Sequence, residues 1–197
     1  FGLLMHWGAY SQWGIVESWS ICPEDYGWCE RKKGNNPGNY FEYVKEYEAL
    51  KTTFNPVQFD PQKWAAAAAG AGMKYVVFTT KHHDGFTLWP SRCSEFGVQK
   101  YLPGVDLVGH YVEACRRNGL KVGLYYSPPD WHHPDYRTEN HSRYIAYLHG
   151  QLRELCSNYG QVDIIWFDGL GGKAKDWDAE HLLAMIHQLQ PGVIINN

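Results

Sequence analysis

Asp168 closes an apolar run, Asp163-Ile-Ile-Trp-Phe167, and is followed by Gly169, which leaves backbone space beside the carboxylate. A carboxylate in that place can serve as a nucleophile or as an acid or base. The competing reading is a turn aspartate bonded to its own loop, common where strands end. Trp166 stands two residues earlier, so in a strand the two side chains share a face, which favours a site. A second cluster, Lys81-His82-His83-Asp84-Gly85-Phe86, follows the apolar run Tyr75 to Thr80. One histidine alone is usually structural; two with an aspartate point to chemistry. Metal ligation needs convergent side chains. Adjacent strand residues are expected to point apart, and no further His or carboxylate set has metal-ligand spacing. No metal and no cofactor is therefore expected at His82 and His83, and hydrogen bonding to substrate hydroxyls fits better. His6, with Trp7-Gly8, ends the first apolar run, and Tyr125-Tyr126 ends the third. Trp131-His132-His133 lies beyond Pro128-Pro129, where binding and loop packing are equally open.

To bring these residues together, each needs an element behind it. Asp60-Pro61 predicts a helix start, Asp as N-cap and Pro at the first position, with Gly70 or Gly72 as the stop. Asp106 caps a second helix with the stripe Leu107, Val108, Tyr111, Val112 and Cys115, ending at Asn118-Gly119. A third opens at His141 or Ser142 and closes at Asn158-Tyr-Gly160. A fourth spans Asp176 to Gln190 on Leu182, Leu183, Ile186 and Leu189. Strands are predicted over Phe1 to Met5, Tyr75 to Thr80, Val122 to Tyr126, Asp163 to Phe167 and from Val193. Their unbroken apolar runs suit strands covered on both faces. Strand alternating with helix implies a parallel sheet with right-handed crossovers. No GxGxxG or GxxxxGK[ST] follows a strand, which argues against a nucleotide-binding open sheet. Polar residues follow nearly every strand, Asn196-Asn197 included, as at the C-terminal face of a (β/α)8 barrel. The expected fold class is thus an α/β, TIM-like (β/α)8 barrel of which this chain covers about the first five strands. At 197 residues it is short of the roughly 250 such a barrel needs, and it starts and stops inside core strands. It is therefore read as a catalytic barrel cut at both ends. Residues 20–55 read as a loop region inserted after the first strand, with one short helix near Tyr40 to Leu50.

A net charge of −3 with no basic stripe argues against nucleic acid as a partner. No apolar stretch reaches the ~18 residues of a membrane span. Five cysteines leave at least one unpaired; whether Cys22 and Cys29 close a loop disulfide is left open by the sequence, and Cys115 and Cys156 fall in helical patterns as buried thiols. Aromatic residues make up 16% of the chain, many beside His, Asp, Gly or Pro rather than in core stripes. Apolar walls with a few placed polar groups suit a small-molecule pocket, including one for a sugar.

Together the segments Phe1-Gly-Leu-Leu-Met-His-Trp-Gly8, Lys74 to Ser91, Asp106-Leu-Val-Gly109, Gly123-Leu-Tyr-Tyr-Ser127 and Asp163 to Gly169 resemble glycoside hydrolase family 29, the α-L-fucosidases. The resemblance runs in order along essentially the whole chain, and Thr-Thr-Lys-His-His-Asp-Gly-Phe86 is its most specific part. It implies a retaining exo-glycosidase that removes terminal α-L-fucose from glycans through a covalent fucosyl-enzyme intermediate. Asp168 would be the nucleophile; His6, His82, His83 and Tyr125 would bind fucose, and Trp166 would wall the pocket. The family uses a Glu-Trp pair after its first strand. Here Glu17-Ser18-Trp19 has a residue between the two, and Glu17 and Trp19 are carried over as ligands. The general acid and a sugar-binding Arg would come from later strands, beyond residue 197. The resemblance also implies a fucosylated oligosaccharide or glycoconjugate as partner and a periplasmic, secreted or lysosomal location. An oligomer remains open. A fucose-binding barrel without its acid, and a metal-dependent barrel hydrolase, are the alternatives.

Overall fold

A computed structural model describes residues 1–24, 26–27 and 29–196. In chain order its elements are β1 (Leu3–Met5), α1 (Tyr40–Ala49), α2 (Pro61–Gly70), β2 (Tyr75–Lys81), α3 (Val98–Tyr101), α4 (Leu107–Arg117), β3 (Lys121–Tyr126), α5 (His141–Asn158), β4 (Ile164–Phe167), α6 (Ala179–Leu189) and β5 (Ile194–Ile195), with short 3-10 turns between some of them. Among the described residues the strands form one parallel sheet, ordered as they come in the chain. This is the α/β architecture of the first βα units of a TIM barrel. The register sets Thr79 beside Tyr125 and Tyr125 beside Trp166, so these side chains share one level and one face.

The helix starts follow from their caps. Asp60, Asp106 and Asn39 each accept from a backbone N–H three residues on, at 3.0, 2.8 and 3.3 Å. Gly72 and Gly119, left-handed at φ 80° and 67°, turn the chain out of α2 and α4. The predicted α4 stripe is wholly buried, and it presses on the outer sheet face, where the Tyr111 hydroxyl meets the carbonyls of Val76 (2.6 Å) and Gly123 (2.9 Å). At Gly123 a Cβ would stand 2.6 Å from Val77, so only glycine lets β2 and β3 approach this closely. The loop expected after β1 folds onto the core through α1: Tyr43 and Tyr47 are fully buried, and Tyr47 donates to Asp84 at 2.7 Å.

Three expectations need correcting. β1 is not a buried strand: it lies at the sheet edge, and Leu4 is exposed. The helix expected over 176–190 is broken at Asp178, left-handed at φ 48°, which separates a 3-10 turn (Ala174–Trp177) from α6. Leu183 is exposed, because α6 buries Leu182, Met185 and Ile186 and Leu183 lies about 100° round the helix from Leu182. Cys22 and Cys29, whose pairing the sequence leaves open, are free thiols; burial pushes Cys22 up to about 12, and its Sγ donates to Glu24 at 3.5 Å. Asn197 lies outside the described residues. Among those described, no helix is long and apolar enough to cross a membrane.

Candidate active site

The strand ends converge as their register requires. Asp168 follows β4, and its Oδ2 accepts the Tyr125 hydroxyl from the end of β3 at 2.9 Å. Burial, then the nearby Asp168 charge, pushes the Tyr125 phenol far up, so it remains a donor. The end of β4 is pinned from β5, where the Asn196 amide exchanges hydrogen bonds of 2.7 and 2.8 Å with the Phe167 backbone. Gly169, at φ 72°, passes so near His83 that a Cβ would lie 2.8 Å from the ring. Trp166 is 37% exposed on the inner face.

His82 and His83 do not point apart. Their ring centroids lie 4.2 Å from each other, because the β2–β3 register shifts between Thr79 and Lys81 and both residues follow the end of the strand. A bulge of this kind resets alternation and re-aims side chains. Lys81 turns away into a fully buried ion pair with Asp130 (3.1 Å). Asp130 also accepts from Tyr147 and from the His132 and His133 backbone, which fixes the loop that carries Trp131. His132 goes to Glu48 and Phe96, and His133 to Tyr144 and Tyr147, so in this trio only Trp131 reaches the site. Trp7 leaves the site as well, packing among Phe54, Phe59, Trp64 and Phe78.

Each site imidazole is anchored through Nδ1: His6 to Thr79 (3.1 Å), His82 to Ser18 (2.5 Å), His83 to Ser127 (2.5 Å). The Thr79 hydroxyl donates to the Met5 carbonyl and the Ser127 hydroxyl to the Pro129 carbonyl. A hydroxyl has one proton to give, so His6 and His83 must donate from Nδ1. When neutral, both then present Nε2 as an acceptor. Burial, reinforced by His82 and Lys81, lowers His83 to about 2, so it is uncharged at neutral pH. Burial lowers His6 too, against the pull of Glu17. The Nε2 atoms of His82 and His83 are buried and have no hydrogen-bond partner. Such an orphan costs about 1–3 kcal/mol, which a ligand hydroxyl can restore.

Sequence reasoning overlooked the anchoring hydroxyls, Ser18 above all. The residue between Glu17 and Trp19 is the support of His82, and Glu17 itself holds a left-handed φ of 49°, rare outside glycine. Glu17 Oε2 accepts from Trp19 Nε1 at 3.0 Å and lies 3.2 Å from His82 Nε2; its Oε1 lies 3.6 Å from His6 Nε2. Its carboxyl is held below the usual range, chiefly by His82. The Trp19 ring stands edge-on to His83 at 4.7 Å. Two sets of three side chains, His6–Glu17–His82 and His82–His83–Asp168, are compact enough to hold an ion, so the geometric argument against a metal does not stand.

A carboxylate, three anchored imidazoles and indole walls thus gather at the strand ends of parallel βα units, where a barrel enzyme carries its site. The alpha-L-fucosidase family profile matches residues 1–197, and the chain belongs to that family. It is 31% identical to human plasma alpha-L-fucosidase over 215 residues, covering 100% of this chain and 44% of that protein. Among solved structures, alpha-L-fucosidase isoenzyme 1 from Paenibacillus thiaminolyticus superposes with a TM-score of 0.85 at 40% identity, covering 100% of this chain and 48% of the other. A family 29 alpha-L-fucosidase from Bacteroides thetaiotaomicron, trapped as a covalent intermediate with 2-fluoro-fucosyl fluoride, gives 0.79 at 32% identity, with 99% and 46% coverage. The chain thus spans less than half the length of each of these relatives.

Proposed function

We propose that the protein is a retaining α-L-fucosidase acting on terminal fucose of glycans, with Asp168 as nucleophile. The observation that carries this is the Asp168 carboxylate at the end of β4, held by the Tyr125 hydroxyl beside buried imidazoles whose Nε2 atoms lack partners. The relative with a trapped covalent intermediate supports retention. Asp168 attacks the anomeric carbon as the glycosidic bond breaks, and a second carboxyl group protonates the leaving oxygen. Water then cleaves the fucosyl ester, the second group now acting as base. Two inversions give net retention. The second carboxyl group is assigned to a later strand, outside residues 1–197. His6 and His83 accept ring hydroxyls at Nε2, with His82, Glu17 and Trp19 completing that side and Trp166 walling the other.

The test is hydrolysis of nitrophenyl α-L-fucoside by the full chain, with the first-formed sugar followed by NMR. The α anomer should appear first; the β anomer appearing first would exclude a covalent Asp168 intermediate. The metal reading has the two three-residue sets in its favour. Incubation with a strong chelator should leave the rate unchanged, and loss of activity restored by a divalent ion would decide for that reading. A location outside the cytosol, whether periplasmic, secreted or lysosomal, is supported by the plasma relative.

A further inference from the structure

Two of the site imidazoles converge on the Glu17 carboxylate more closely than binding a sugar requires. The ligand atoms of His6, Glu17 and His82 all lie within 4.8 Å of one another. Each carboxylate oxygen faces one ring: Oε1 lies 3.6 Å from His6 Nε2, and Oε2 lies 3.2 Å from His82 Nε2. A tetrahedral zinc ion, with bonds of about 2.0–2.2 Å to nitrogen and oxygen, sets neighbouring ligand atoms roughly 3.3–3.6 Å apart. Both observed separations lie at the edges of that spacing. Two imidazoles and one carboxylate are also the donor set of open zinc sites, which leave the fourth position to water or a ligand.

The rings are held as metal-bound imidazoles are held. Such a ring usually donates its other N–H to a fixed acceptor, which sets its tautomer and its aim. His6 Nδ1 donates to the Thr79 hydroxyl at 3.1 Å, which leaves a lone pair on Nε2. His82 Nδ1 meets the fully buried Ser18 hydroxyl at 2.5 Å. That hydroxyl can turn to accept, which places a lone pair on His82 Nε2, an atom buried without a hydrogen-bond partner. The other compact set, His82–His83–Asp168, is the weaker candidate, because its carboxylate already accepts the Tyr125 hydroxyl at 2.9 Å.

The geometry points to an inhibitory cation site: a zinc ion bound by His6, Glu17 and His82 in place of fucose. The inference rests on the reading of these residues as fucose ligands and adds that a metal ion competes for them. Imidazole suits zinc and copper, whereas magnesium and calcium call for oxygen ligands alone. The ion takes the Nε2 lone pair through which His6 accepts a ring hydroxyl, so ion and sugar exclude each other. It is not a cofactor, and turnover needs the pocket free of it.

The test titrates zinc chloride alone into the full chain by calorimetry, in a buffer that does not bind metal. Zinc should bind, L-fucose should weaken its binding, and magnesium should give no heat. Glu17→Gln keeps the size of the side chain and should weaken zinc about tenfold or more; Ser18→Ala should weaken it about tenfold, and Asp168→Asn far less. On an aryl α-L-fucoside, zinc should raise the apparent KM and leave kcat unchanged. Zinc binding unaltered in Glu17→Gln would put the ion elsewhere, on the free thiols, and overturn the proposal. So would no binding, or a rate raised by zinc. An ion lost in Glu17→Gln but indifferent to fucose would leave the cation site standing and count against fucose in this pocket, which separates the two readings.

Discussion

At the residue scale, the site depends on His83 being kept neutral by burial. For His83 the linkage has a definite sign. Its folded pKa lies near 2 and the unfolded value near 6.5. Below about pH 6.5 the unfolded chain binds a proton that the native one refuses. The stability this group contributes is therefore complete above that pH and is lost as pH falls toward 2, at up to about 1.4 kcal/mol per unit. Denaturant titrations of the full chain at pH 7 and pH 5 should show a drop that is smaller in His83→Asn; identical drops would mean that His83 does not titrate in this way. His83→Ala should also weaken fucose binding by about 1–3 kcal/mol through an unpaired hydroxyl, as read by calorimetry. His6, His82, His83 and Asp168 could be proposed from the sequence because each follows an apolar strand, whereas Glu17 and Trp19 came only from the family resemblance. The anchors of the histidines could not be. Thr79, Ser18 and Ser127 meet His6, His82 and His83 across 73, 64 and 44 residues, and nothing local marks an ordinary hydroxyl as a partner.

At the scale of elements, the loop after β3 is held against β2 by the buried Lys81–Asp130 pair. Removing one member of such a pair leaves an uncompensated charge, at about 3–5 kcal/mol. Lys81→Met in the full chain should lose stability on that scale by chemical denaturation. A loss below about 1 kcal/mol would mean that the Tyr147 hydroxyl and the His132 and His133 amides satisfy Asp130 without the lysine. Helix starts were legible because Asp60 and Asp106 are strong caps with local partners, and the stops because glycine marks them. The β2 register shift was not. Alternation is a rule about regular strands, and the shift depends on how β3 pairs with β2, so His82 and His83 were expected to point apart when both serve one site. The break at Asp178 was hidden for a similar reason: the apolar spacing across 176–190 carries no sign that the backbone turns left-handed within it.

At the scale of the whole molecule, the alternation of strand and helix made the parallel sheet legible, and the barrel followed from where the polar residues fall. Among the described residues each outer strand of the sheet pairs on one side only, and Leu4 on β1 and Ile194 on β5 are exposed. Open parallel edges with apolar residues recruit other chains. A segment of residues 1–197 expressed alone should aggregate or bind hydrophobic dyes without a sharp thermal transition; a cooperative melt would show that these five strands suffice. The central claim concerns Asp168, and one measurement meets it most directly. Asp168→Gly in the full chain removes a group that acts mainly in the transition state. kcat on an aryl α-L-fucoside should fall by several orders of magnitude, with KM little raised and the melting curve unchanged. Added azide, a small anion able to enter the vacated space, should restore turnover and yield a fucosyl azide of inverted configuration. Near-normal turnover by the folded variant, or no response to azide while another carboxylate variant shows one, would contradict the account and move the nucleophile elsewhere.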